Sequence, residues 1–150
     1  MMRSARPSQA RFALAGAALF ALAGILPAAP PEADAVASAQ AAAKGWLAEI
    51  DAGRYGDSWE HASTLMRKAI SRADWEKAAS SVRGQVGALK SRTLQSATYT
   101  KSLPGAPDGE YVVIIYDAKF EKANAVETVT PMREKDGSWK VSGYYVKPPA

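Results

Sequence analysis

Apolar positions change rhythm twice along this chain. From Phe12 to Leu26 they run unbroken by any charge until Pro27. Between 36 and about 53 they thin to Ala39, Ala43, Trp46, Leu47 and Ile50, spaced by three and four, which predicts an amphipathic helix with Gly53 as its C-cap. Tyr55, Trp59 and Ala62 predict a short second helix, and Ser63 or Thr64 can cap a further turn carrying Leu65, Met66 and Ile70. Ser71-Arg-Ala-Asp74 has capping-box spacing and opens a helix whose stripe is Trp75, Ala78, Ala79, Val82 and Val86, weakened at its end by Gly84 and Gly87.

After Ala88 the period becomes two. Residues 89–103 predict a half-solvated strand, followed by a Pro/Gly loop at 104–109. Glu110 to Glu121 contains Tyr111-Val-Val-Ile-Ile-Tyr116, apolar in both phases, and predicts a central strand covered on both faces. Ala125–Glu134 and Trp139–Lys147 predict two more strands, joined through Lys135-Asp-Gly-Ser138, where Asp-Gly tolerates the positive φ of a hairpin turn. In the last strand, alternation puts Trp139, Val141 and Tyr145 on one face and Tyr144 and Val146 on the other. Helices first and hairpin-linked strands afterwards predict an α+β domain, with helices packed against a curved four-stranded antiparallel sheet. The expected core is Trp46, Leu47, Ile50, Trp59, Trp75, Val82, Val113, Ile115 and Val141.

The leading apolar run adds a location. Arg3, Arg6 and Arg11 precede it without an acid, and small residues follow Pro27, the three-part layout of a signal peptide. The expected division is a signal peptide over 1–35, cut somewhere in 28–39, and a single domain over 36–150. Ala33-Asp-Ala35 and Ala37-Ser-Ala39 both fit small-x-small cleavage. The run is short of the about 20 residues of a spanning helix, so no stable membrane anchor is expected after cleavage, and the product is periplasmic or secreted. There is no cysteine to carry a lipid or a disulfide, so the domain must hold together by its core alone.

Composition narrows the chemistry. Residues 1–35, with three arginines against Glu32 and Asp34, account for only +1 of the net charge of +4, and the remaining +3 is scattered among acids, so no nucleic-acid partner is expected. Lys90 and Arg92, with Lys101 beyond them, read as one solvated strand face. Cysteine catalysis is excluded, no Gly-x-Ser-x-Gly elbow accompanies the lone His61, and His61 itself reads as an i,i+4 neighbour of Asp57. Asp108-Gly-Glu110 reads as a pair of solvated loop carboxylates. No metal cluster and no nucleotide fingerprint is present, and no cofactor is expected. What stands out is the aromatic content: Tyr111, Tyr116, Tyr144 and Tyr145 on the strands can line a cavity or a partner surface.

Several stretches together carry a resemblance. They are Trp46-Leu-Ala-Glu-Ile-Asp-Ala-Gly-Arg-Tyr55 with Asp57-Ser-Trp59, Val82–Arg92, Leu103–Val113, Ala125–Met132 and Asp136–Tyr145. In combination they resemble the bacterial exported family known as domain of unknown function 4019, over roughly residues 40–147. The resemblance implies an architecture similar to the nuclear-transport-factor-2-like (cystatin-like) cone. That fold hosts isomerases and dehydratases as well as non-enzymatic binding and dimerising modules, and it brings no catalytic residues to carry over.

Two functions remain. The first is a non-catalytic module that binds an unknown protein or a small apolar ligand, with a possible homodimer through the sheet. The alternative is an acid–base enzyme acting on a small apolar substrate in the cone cavity, using Asp117 or Asp51 with Tyr116 or Tyr145 as proton donor.

Overall fold

The computed structural model describes residues 31–150; the basic head, the apolar run and the cleavage positions before residue 31 lie outside the described residues. Four helices come first: α1 (Pro31–Asp51), α2 (Tyr55–Glu60), α3 (Thr64–Ala69) and α4 (Arg72–Val86). Four strands follow: β1 (Leu89–Thr100), β2 (Tyr111–Phe120), β3 (Asn124–Arg133) and β4 (Trp139–Lys147). All three pairings are antiparallel and follow chain order, so the sheet is an open, curled meander with β1 and β4 at its edges. The α+β class and the antiparallel sheet are as expected from the periodicities.

The local signals act where the sequence places them. Ser63 and Ser71 cap α3 and α4, their hydroxyls accepting from the backbone N–H of Met66 and Asp74. Gly53 closes α1 at φ 75° and Gly137 turns the β3–β4 hairpin at φ 86°, conformations that cost a side-chain-bearing residue energy. Helix α1 starts earlier than position 36 and buries Ala35 and Ala39, so both small-x-small sequences lie within it. Strand β1 is shorter than its prediction, ending at Thr100 with Lys101 outside it.

One face of the sheet packs on the helices. Trp46, Leu47 and Ile50 of α1 and Trp75 and Ala79 of α4 meet Val112, Ile114, Val129 and Val141 in the main core. A smaller cluster of Ala118, Phe120 and Ala125 lies beyond it, with Val86, Leu89 and Val146 against it. The expected phase of β2 is corrected by one residue. Val112 and Ile114 are fully buried under the helices, while Val113 and Ile115 alternate to the outer face and are half-buried. Among the described residues no helix covers that outer side, so there β2 is central but not sandwiched. Helix α4 is rotated from its expected stripe as well: Arg83 is buried and Val82 is exposed, because the Arg83 side chain has an acid to meet beneath it. Trp59 is half-buried, its indole N–H donating to the Ile70 carbonyl.

The last strand departs from simple alternation. Thr130 faces Gly143 but Pro131 faces Val141, which leaves Ser142 as an extra residue in β4. This bulge turns the strand by one side-chain position. Val141 before it and Tyr144 after it therefore both face the helices, and Tyr145 is separated from Val141 and turned outward. Pro131, which has no N–H to offer the ladder, sits at the irregularity.

Candidate functional site

The densest concentration of polar chemistry runs from the buried Glu127 and Arg83 outward to Asp51 at the surface. Five elements supply it: Asp51 from the end of α1, Arg83 from α4, Arg92 from β1, Glu127 from β3 and Tyr144 from β4. Arg92 is the centre. Its Nε and Nη2 donate to the two oxygens of Glu127 at 2.6 and 3.1 Å, while Nη1 and Nη2 donate to Asp51 at 2.8 and 3.0 Å. Arg83 Nη1 donates to Asp51 Oδ1 at 2.9 Å. Tyr144 completes the group by donating its hydroxyl to Glu127 Oε2 at 2.5 Å.

Glu127 is fully buried on the helix-facing side of β3, between Ala125 and Val129 in the same phase. A carboxylate there needs a cation close by, because desolvation of an unpaired charge costs far more than its packing returns. Two arginines against two carboxylates leave the group electrically balanced. The guanidinium faces are also used: Arg83 lies 4.9 Å from the centre of the Phe120 ring and Arg92 5.9 Å from that of Tyr116.

The titration behaviour follows from this packing. Burial pushes the Asp51 carboxyl up, but hydrogen bonds and positive charge from Arg92 and Arg83 outweigh it and hold the group below its ordinary value. Burial alone would ease the proton off Arg92; Asp51 and Glu127 reverse that and raise it. The Tyr144 hydroxyl is raised by burial and by the neighbouring Glu127 carboxylate, and Tyr116 is raised chiefly by burial.

Beside this network lies a tryptophan pair set by one serine. The fully buried Ser58 accepts the Trp46 indole N–H on its carbonyl at 2.7 Å and the Trp75 indole N–H on its hydroxyl at 3.0 Å. Trp46 in turn meets the Tyr144 ring edge-on at 5.4 Å, which ties the apolar core to the charged group.

The structure thus brings three of the sequence candidates, Asp51, Tyr116 and Tyr144, to one group of contacts. It places the others elsewhere. Asp117 and Tyr145 lie on the outer face of the sheet, both exposed. Tyr111 is fully buried and donates its hydroxyl to the Pro107 carbonyl at 2.6 Å. Arg83, Arg92, Glu127 and Ser58 were missed. Arg92, expected on a solvated face with Lys90, faces inward instead, after the irregularity between Leu89 and Ser91. The available signal was Glu127 itself, an acid in the apolar phase of β3.

Two smaller expectations are also corrected. His61 contacts Glu49 at 2.6 Å rather than Asp57, which pairs with Arg54. Glu110 is not a free loop carboxylate: it accepts from the Tyr99 hydroxyl and from Arg133. Among the described residues no group of three or more His, Asp or Glu side chains could hold a metal ion, and no helix is long and apolar enough to cross a membrane. Five surface clefts of the described residues are lined without Asp51, Arg83, Arg92, Glu127 or Tyr144.

Residues 42–144 match the family model described as protein of unknown function (DUF4019). No curated protein matches the chain.

Proposed function

The chain belongs to the DUF4019 family, and from that premise we propose that it is a non-catalytic interaction module, exported from the cytoplasm, that pairs with a second copy of itself through the outer face of its sheet. One observation carries the reading: every carboxylate oxygen of Asp51 and Glu127 is engaged by arginine or tyrosine of the same fold. Groups spent on one another in this way hold elements in register. The acid–base alternative needs a carboxylate near neutrality beside a substrate. Asp51 is pulled in the opposite direction by its two arginines, and Asp117 stands in solvent on the far face of the sheet.

The outer face is where unspent apolar surface remains. Val113 and Ile115 of β2, Thr128 of β3 and Tyr145 of β4 lie there in adjacent rows. Tyr145 is 63% exposed, and its ring lies along Gly143, where a Cβ would sit 3.6 Å from it. The four residues are uncharged, and the next row along carries Asp117 and Lys147, opposite charges, so two copies can stack this patch about a twofold axis without net repulsion. Export is supported by the basic head and apolar run of residues 3–26.

Sedimentation velocity of the purified chain tests the pairing. The expected result is a dimer at micromolar concentration, converted to monomer by Tyr145→Asp with an unchanged melting temperature. A monomer at high micromolar concentration overturns the reading.

A further inference from the structure

A second surface, independent of the outer sheet face, has the chemistry of a ligand site. Helix α3, the end of β3, the β3–β4 hairpin and Pro107 of the β1–β2 loop enclose a cleft of about 530 Å³. Its lining brings the half-buried Leu65 and Met132 and the exposed Pro107 together with Lys68, Lys135 and Lys140.

Four cations, Lys68, Arg133, Lys135 and Lys140, line it against two carboxylates, Glu134 and Asp136, a surplus of two positive charges. Glu134 is engaged, its two oxygens accepting from the Thr64 backbone N–H at 2.7 Å and the Thr64 hydroxyl at 3.3 Å. Asp136 accepts from both the backbone N–H and the hydroxyl of Ser138. Arg133 donates to Glu110. Among the described residues the three lysines enter no ion pair and no side-chain hydrogen bond. An apolar lining with this positive surplus is complementary to a molecule with an alkyl body and an anionic head. A neutral apolar molecule would leave the ammonium groups unanswered, and a cation would meet repulsion.

We propose that this cleft binds a single-chain amphiphile with an anionic head, of the fatty-acid class, its acyl chain on Leu65, Met132 and Pro107 and its carboxylate among Lys68, Lys135 and Lys140. The lysine ammonium groups act as mobile point charges and need no fixed geometry to reach the head.

Calorimetric titration of the purified chain with laurate, below its micelle concentration, tests this. Dodecyltrimethylammonium and inorganic phosphate serve as comparison probes. Saturable laurate binding is expected, with neither comparison probe binding. Lys68→Glu and Lys135→Glu, both at exposed positions, are each expected to weaken laurate by about tenfold, the scale of one lost charge-assisted contact. Leu65→Asp is expected to abolish binding; circular dichroism checks its fold, and Leu65→Ala serves in its place if it does not fold. Equal binding of dodecyltrimethylammonium reduces the cleft to a greasy surface and overturns the proposal. Equal binding of phosphate reduces it to a cation cluster and does the same, as does unchanged laurate affinity in the lysine variants. Sedimentation reads the sheet face alone, so failure there leaves this result standing, and the reverse holds too.

Discussion

The Ser58 hydroxyl accepts from the Trp75 indole while donating to the Tyr55 carbonyl oxygen at 2.6 Å, and its carbonyl accepts from Trp46. A residue with one small polar side chain thereby fixes the two largest rings of the core, whose centroids lie 5.8 Å apart. A residue without a polar side chain would leave the Trp75 N–H unpaired in the interior, which is why a serine is tolerated at full burial. Glu127 shows the same logic with charge. The pair it makes with Arg92 returns little net stability over an apolar substitute, yet removing one member strands the other. Glu127→Gln keeps the shape but withdraws the charge that Arg92 and Tyr144 face. It is expected to lower stability by about 3 kcal/mol, read from the urea midpoint. A change below about 0.5 kcal/mol, the range of ordinary surface substitutions, would mean that Asp51 alone satisfies Arg92.

At the scale of elements, legibility followed the strength of the local signal. Caps and turns are decided within a few residues, so Ser63, Ser71, Gly53 and the Asp136-Gly137 turn read correctly from the chain. The phase of β2 did not, because Tyr111-Val-Val-Ile-Ile-Tyr116 is apolar in both phases and offers no alternation to choose between them. The β4 bulge was invisible for a related reason. Nothing in Lys140-Val-Ser-Gly-Tyr-Tyr145 marks Ser142 as supernumerary until its pairing with β3 is known. The contacts of the charged group span separations of 17 to 41 residues, which no spacing rule covers. The bulge carries its own consequence. Deleting Ser142 forces a choice between Val141 and Tyr144 for the inward position, since plain alternation cannot supply both. The cost is expected to be about 2–4 kcal/mol, comparable to losing one large core side chain, as a fall in the thermal midpoint. A midpoint within error of the parent would show that β4 reaches its packing without the extra residue.

Across the whole molecule the charged group adds a polar tie beside the main apolar core, which already packs α1 and α4 on β2, β3 and β4. Helices α1 and α4 are tied to strands β1, β3 and β4 through Asp51, Arg83, Arg92, Glu127 and Tyr144, a link that reaches the edge strands β1 and β4. Its titration should therefore appear as a change in global stability at both ends of the pH scale. The Asp51 carboxyl is lowered in the fold, so its contribution is complete above the unfolded value of 3.8 and is lost as the pH falls through the lower folded value. The Tyr144 hydroxyl is raised in the fold, so its contribution is complete below the unfolded value of 10.0 and is withdrawn as the pH climbs past it. Tyr116 and Tyr111, raised by burial, add to the same alkaline limb. Denaturation midpoints measured across pH are expected to show a plateau between these limits with a fall on either side. Asp51→Asn should shallow the acid limb, to which the Asp136 carboxyl, lowered by its hydrogen bonds from Ser138, also contributes, and Tyr144→Phe should shallow the alkaline one without removing it. Limbs unchanged in both variants would place the pH sensitivity elsewhere and show that the network does not join helices to sheet.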